Sequence, residues 1–215
     1  MYKLAIFDLD GTLLDTLGDL HASVNFALRE HGFPERTRSE VCAFIGNGVV
    51  KLMERSTPKG TDEKTDKACL EVFRAHYLEH MADTTAPFDG VIPLLERLRA
   101  QGVKIAVVSN KLHSAVEKLC EDYFPGVIEK AIGVTDESER KPSPVNVLKA
   151  MELFGAEKDE TVYIGDSEVD VQTSLAAGVR CIGVSWGFRS SEQLADAGCT
   201  TVCDTADEVY DRIME

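Results

Sequence analysis

Apolar residues are spaced in two ways along this chain. Leu4-Ala5-Ile6-Phe7 is a short unbroken apolar run that ends on Asp8-Leu9-Asp10-Gly11-Thr12, the pattern of a strand buried on both faces. Three helix-like stretches follow, Asp15 to His31, Arg38 to Ser56 and Asp62 to Met81, separated by Gly32-Phe33-Pro34 and Pro58-Lys59-Gly60. Beyond Asp83 the pattern alternates. It predicts helix Val91 to Ala100, strand Val103 to Val108, helix Ser114 to Tyr123, a weaker strand Ile128 to Val134 and helix Val145 to Phe154. Strand Thr161 to Ile164, helix Ser167 to Ala177 and strand Val179 to Val184 come next, then two short helices flanking Thr200-Thr201-Val202.

Strands and helices alternating at these lengths predict an α/β fold: a Rossmann-like, doubly wound parallel sheet covered on both faces. Asp8 and Ser109, at two of the strand ends, lie 101 positions apart. A compact crossover unit needs only about 30 residues. The surplus predicts an inserted α-helical domain over 15–83, with 1–14 and 84–215 forming the α/β core. Its connections fall at Leu14-Asp15-Thr16 and at the polar, proline-bearing Asp83-Thr84-Thr85-Ala86-Pro87.

A chain of 215 residues can bury a substantial core without disulfides. No stretch has the apolar length of a signal-peptide core or a membrane span, so a cytoplasmic location is expected. The six cysteines (Cys42, Cys69, Cys120, Cys181, Cys199, Cys203) include no C-x-x-C pair, which fits reduced, mostly buried thiols. A net charge of −14 argues against nucleic-acid or anionic-membrane partners, both of which reward a basic patch. A small anionic substrate stays compatible, provided a local positive centre receives it.

In open parallel sheets ligands bind beyond the carboxyl ends of the strands. The residues there form one set. The first strand gives Asp8 and Asp10, the next ends in Ser109-Asn110, and Val162-Tyr163-Ile164 ends in Gly165-Asp166-Ser167-Glu168-Val169-Asp170. Lys141 lies in the proline-bearing loop Glu139 to Pro144. Each has a plainer explanation taken singly: helix caps for Ser109, Asn110, Asp166 and Ser167, a dipole-complementing acid for Asp170, a solvated lysine for Lys141. Separate caps do not explain acids, a hydroxyl and a cation converging on one sheet edge. His76 and His80 are four apart on a helix, but no third metal ligand accompanies them and an exposed pair is expected.

Taken together, D-x-D-x-T at Asp8 to Thr12, the strand-end Ser109, the loop Lys141 and G-D-x-x-x-D ending at Asp170 resemble the haloacid dehalogenase-like phosphohydrolases. Phe44-Ile45-Gly46-Asn47-Gly48-Val49, Pro87-Phe88-Asp89-Gly90-Val91, Val107-Val108-Ser109-Asn110-Lys111 and Arg140-Lys141-Pro142 are similar to the phosphoglycolate phosphatase branch, so the likeness covers most of the chain. The resemblance implies a Mg2+-dependent phosphomonoesterase with an aspartyl-phosphate intermediate, and a helical cap domain as the insertion. It implies Asp8 as nucleophile, Asp10 as general acid and base, Ser109 and Lys141 as phosphoryl stabilisers, and Thr12 and Asn110 near substrate. It also implies a metal site drawn from Asp8, Asp10, Asp166 and Asp170, with Asp170 placed behind the direct ligands.

Gly46, Asn47 and Gly48 open a helical run whose free N–H groups suit a small carboxylate, although a plain inter-helix turn explains them too. The expected partner is therefore a small phosphorylated metabolite, with monomer and homodimer both open. The alternatives within the class are a pyrophosphatase or a broader sugar-phosphate phosphatase. A dehalogenase is disfavoured by Asp10 and Asp166, and a phosphoacceptor signalling domain by the size of the insertion. A mutase is disfavoured by Leu20, where the mutases that this region resembles carry histidine and where this chain has its histidine one position later, at His21.

Overall fold

The computed structural model describes all 215 residues. In chain order it contains β1 (Leu4–Phe7), β2 (Leu14–Asp15), α1 (Leu17–Glu30), α2 (Arg38–Phe44), α3 (Gly48–Ser56), α4 (Glu63–His80), β3 (Ala86–Pro87), α5 (Val91–Ala100) and β4 (Lys104–Leu112). There follow α6 (His113–Tyr123), β5 (Lys130–Val134), α7 (Val145–Phe154), β6 (Thr161–Gly165), α8 (Glu168–Ala177), β7 (Arg180–Val184), α9 (Ser191–Asp196), β8 (Val202–Cys203) and α10 (Ala206–Met214). Two units separate by their contacts: Met1–Leu14 with Pro87–Glu215, and Asp15–Ala86. The short strands β2 and β3, where the chain passes from one unit to the other, pair as a two-stranded ribbon.

The first unit is built on a six-stranded parallel sheet in the order β5-β4-β1-β6-β7-β8. β1 is central, so all four of its side chains are at most 1% exposed, as its unbroken apolar run requires. Leu4 and Ile6 pack with Ala106, Val108, Val147, Ala150 and Tyr163 on one face. Burying each large aliphatic of this kind contributes roughly 1.5–3 kcal/mol. The register sets Phe7 between Val107 and Ile164, and the Asp8 amide donates to the Ile164 carbonyl at 2.9 Å. The segment leaving β6 therefore begins beside Asp8, and the later residues of β4 run past it, where the strand order reverses direction around β1.

Helices α5 and α7 occupy the spans expected from periodicity. β4 instead runs four residues past Val108, to Leu112, with a register shift against β5 between those two residues. Ser109 and Asn110 are thus strand residues, and the residue that caps α6 is Leu112.

The second unit is helical throughout. Leu20, Val24, Ala27 and Leu28 of α1 are buried, as are Val41 of α2, Leu52 and Met53 of α3, and Cys69, Leu70, Phe73 and Tyr77 of α4. The single helix expected over Arg38 to Ser56 is two. Gly46 at φ 127° and Gly48 at φ 78° hold backbone that other residues rarely adopt, and they turn the chain between α2 and α3. Thr37 and Glu40 form a capping box at the start of α2. The second unit ends at Ala86 because Asp19, buried in α1, holds the exit segment: its carboxylate accepts from the amides of Thr84 and Thr85 at 2.9 Å each and from both hydroxyls. No helix is long and apolar enough to cross a membrane.

Candidate active site

Asp8 follows β1 directly and is 8% exposed; its Oδ1 accepts from the Leu9 amide at 2.7 Å. The chain then turns tightly, with the amides of Thr12, Leu13 and Leu14 all directed at the Leu9 carbonyl. Gly11 sits in this turn at φ 84°, and a Cβ there would overlap the Asp166 carboxylate. The turn brings Asp10 back alongside Leu14.

Lys141 is buried, not solvated. Its Nζ lies 2.9 Å from Asp8 Oδ1, 2.7 Å from Asp170 Oδ1 and 3.1 Å from the Tyr163 hydroxyl. Asn110 fixes the loop that carries it, since Asn110 Oδ1 accepts from the Lys141 amide at 2.7 Å and Nδ2 donates to the Lys141 carbonyl at 3.2 Å. The side chain of Asn110, expected near substrate, is thus used to set Lys141. Ser109 is 2% exposed on β4, and its Oγ accepts from the Lys111 amide at 3.3 Å.

Asp170 is fully buried. Its Oδ1 accepts from Lys141 and from the Tyr163 hydroxyl at 3.0 Å; its Oδ2 accepts from the Ser167 hydroxyl at 2.6 Å and the Ser167 amide at 3.1 Å. Four donors fill the roughly four lone-pair sites of a carboxylate. Ser167 and Asp170 form the capping box of α8, so the cap reading holds for Ser167 and not for Asp166, and the Asp170 carboxylate also orients Lys141. Gly165 is required beside it, because a Cβ there would fall on the Asp170 carboxyl group.

Asp166 is 1% exposed and accepts from Thr12 Oγ1 at 3.2 Å and from the Phe188 amide at 2.7 Å. Thr12 is fully buried and its carbonyl accepts from Trp186 Nε1 at 3.0 Å, so it supports Asp166 from within the turn. Gly187 packs so closely on Asp166 and the Gly11 carbonyl that any side chain would collide with both. Trp186, Gly187 and Phe188 come from the segment after β7. Their only sequence signal is their place just past a predicted strand, and the sequence alone does not single them out. Lys111 was missed in the same way: it is buried, with Nζ 2.8 Å from Asp10 Oδ1.

The remaining candidates lie in the second unit. Asn47 caps α3 without a side-chain cap bond, and its Oδ1 accepts from Arg55 at 2.8 Å. The rings of His76 and His80 are stacked at 4.3 Å; His76 shares a hydrogen bond with Ser23 and His80 one with Asp83. Leu20 is buried in the helical core, and the His21 ring bonds to the Arg36 carbonyl.

Burial raises the pKa of Asp8 to about 7, opposed by Lys141 and reinforced by the charges of Asp170 and Asp10. Burial, then Asp170 and Asp8, push Asp166 well above the usual carboxylate range. Burial lowers the Lys141 pKa, but the charges and hydrogen bonds of Asp170 and Asp8 outweigh it and the net shift is upward, so Lys141 stays an ammonium. One cation does not neutralise this cluster. Ligand atoms of Asp8, Asp166 and Asp170 lie within 4.8 Å of one another, all on buried residues. All-oxygen, anionic donors of this kind suit a hard divalent cation.

Buried acids and a buried lysine gathered at the switch point of a doubly wound sheet form a candidate catalytic site. The haloacid dehalogenase-like hydrolase family matches across residues 5–184, and the chain belongs to that family. It is similar to the phosphoglycolate phosphatase of Aquifex aeolicus, 33% identical with 99% of each chain covered. It is also similar to phosphoglycolate phosphatase 1 of Pseudomonas aeruginosa, 33% identical over 94% of this chain and 76% of that one. Two crystal structures of proteins assigned as phosphoglycolate phosphatases by prediction have the same fold. That from Lactobacillus delbrueckii subsp. bulgaricus is 36% identical with TM-score 0.94, covering 99% of this chain and 98% of the other. That from Haemophilus somnus is 27% identical with TM-score 0.90, covering 100% and 98%.

Proposed function

We propose that this hydrolase is a Mg2+-dependent phosphomonoesterase that cleaves 2-phosphoglycolate to glycolate and phosphate through an aspartyl phosphate on Asp8. The observation that carries the reading is Lys141 bonded to both Asp8 and Asp170 in a buried cluster with Asp166. Relatives named phosphoglycolate phosphatase support the choice of substrate.

Asp8, Asp166 and the Asp10 main-chain carbonyl would hold Mg2+, which supplies positive charge against the repulsion between carboxylate and phosphate dianion. Asp170 acts through Lys141, since its own lone pairs are taken. Asp8 Oδ attacks phosphorus in line; the P–O bond to the leaving group breaks, and Asp10 gives its proton to that oxygen. Asp10 then takes a proton from the water that attacks the acyl phosphate, which returns both side chains to their starting state. Ser109 donates to a phosphoryl oxygen and Lys141 offsets the charge that develops there. The turn at Gly11 and Thr12, pinned by Trp186, keeps Asp8 and Asp10 in fixed relation. In the helical unit, Gly46, Asn47 and Gly48 remain candidates for substrate selection.

A kinetic panel of 2-phosphoglycolate, pyrophosphate, sugar phosphates and nucleotides, with Mg2+ and then with chelator, tests this. The highest kcat/KM is expected for 2-phosphoglycolate, with activity lost in chelator and restored by Mg2+. Preference for pyrophosphate or a sugar phosphate would reassign the substrate, and undiminished turnover after chelation would remove the metal.

A further inference from the structure

Lys111 stands two residues past Ser109 on the extended end of β4, and its side chain is 5% exposed. A lysine ordinarily runs its methylenes along the surface and keeps its ammonium in water. This one instead brings Nζ to 2.8 Å from Oδ1 and 3.1 Å from Oδ2 of Asp10. Ordering a long side chain and desolvating its charge both cost free energy, so the placement needs a return beyond a surface ion pair.

Geometry supplies one, resting on the phosphoglycolate reading above. Asp10 must reach the ester oxygen of the substrate. In 2-phosphoglycolate a single methylene separates that oxygen from the carboxylate. A cation bonded to Asp10 therefore stands on the side of the site that the acid group enters. An ammonium has three N–H donors, so it can keep its bonds to Asp10 and donate to a substrate carboxylate oxygen as well. Charge points the same way. The trianionic substrate meets Asp8, Asp166 and Asp170, and Lys141 is committed to Asp8 and Asp170. Lys111 is the second ammonium that the ion pairs bring to this edge.

We propose that Lys111 recognises the carboxylate of the substrate and sets the preference for phosphorylated small acids over neutral phosphomonoesters. A substrate without an acid group gains nothing from this ammonium, so the discrimination is a difference between two substrates in one pocket.

The test compares kcat/KM for 2-phosphoglycolate and its uncharged amide, 2-phosphoglycolamide, in the wild type, Lys111→Met and Lys111→Arg. The wild type should prefer the acid. Lys111→Met should shrink that preference by about 10- to 100-fold, the range of a lost hydrogen bond to a charged group, chiefly through KM. Lys111→Arg should restore part of it. If Lys111→Met does not fold, Lys111→Gln carries the same comparison. Equal losses on both substrates, with the wild type still preferring the acid, would overturn the proposal and leave Lys111 as a support for Asp10. A wild type that hydrolyses other phosphomonoesters but neither of these two would overturn the substrate reading and this proposal together.

Discussion

Lys141 bonds two carboxylates and a tyrosine hydroxyl from a position 4% exposed to solvent. Lys141→Ala should therefore lower kcat on the preferred substrate by on the order of 10²-fold or more, the cost of losing a preorganised donor to a transition-state anion. Steady-state kinetics at saturating Mg2+ measure it, and an unchanged rate would leave Lys141 outside the reaction. Asp8, Asp10, Ser109, Asp166 and Asp170 stand out in the sequence as candidates because each follows an apolar strand closely or lies in a spaced acid motif. Lys111, Gly187 and Phe188 do not. They are brought in where the end of β4 and the segment after β7 meet the turn after β1, and no local pattern encodes that meeting. That Asn110 holds the Lys141 backbone was not legible, because a sequence position does not say which way an amide points.

At the scale of elements, the strand and helix periods located every major segment of the sheet, and two long helices match to the residue. The failures came where chemistry outranks period. Two positive-φ glycines divide the stretch Arg38 to Ser56, and β4 outruns its apolar residues by continuing through polar Ser109, Asn110 and Lys111. The exit from the helical unit was expected within Asp83 to Pro87, and there Asp19 of α1 ties Thr84 and Thr85 to that unit through four donors. Asp19→Ala would leave buried amides and hydroxyls unsatisfied. It should destabilise the protein by about 3 kcal/mol, read from the shift in the denaturant midpoint. A midpoint that does not move would show that the exit segment is held by its packing alone.

The whole molecule carries a formal charge of −14, yet one sheet edge gathers buried acids with two buried lysines, Lys111 and Lys141, among them. The insertion was legible as a distance, 101 positions between Asp8 and Ser109, since a compact crossover is far shorter. What the insertion selects was not legible, because a helical bundle can be built from many sequences that bury the same faces. The central claim is that Asp8 carries the phosphoryl group between two half-reactions. It is tested most directly by acid-quenching the enzyme during turnover of 2-phosphoglycolate, reducing with borohydride and sequencing the peptide around Asp8 by mass spectrometry. The account predicts homoserine at position 8, the product of reducing an aspartyl phosphate, and none in Asp8→Asn, which should also be inactive. Full turnover with unmodified aspartate at position 8, or with the modification on another residue, would contradict it.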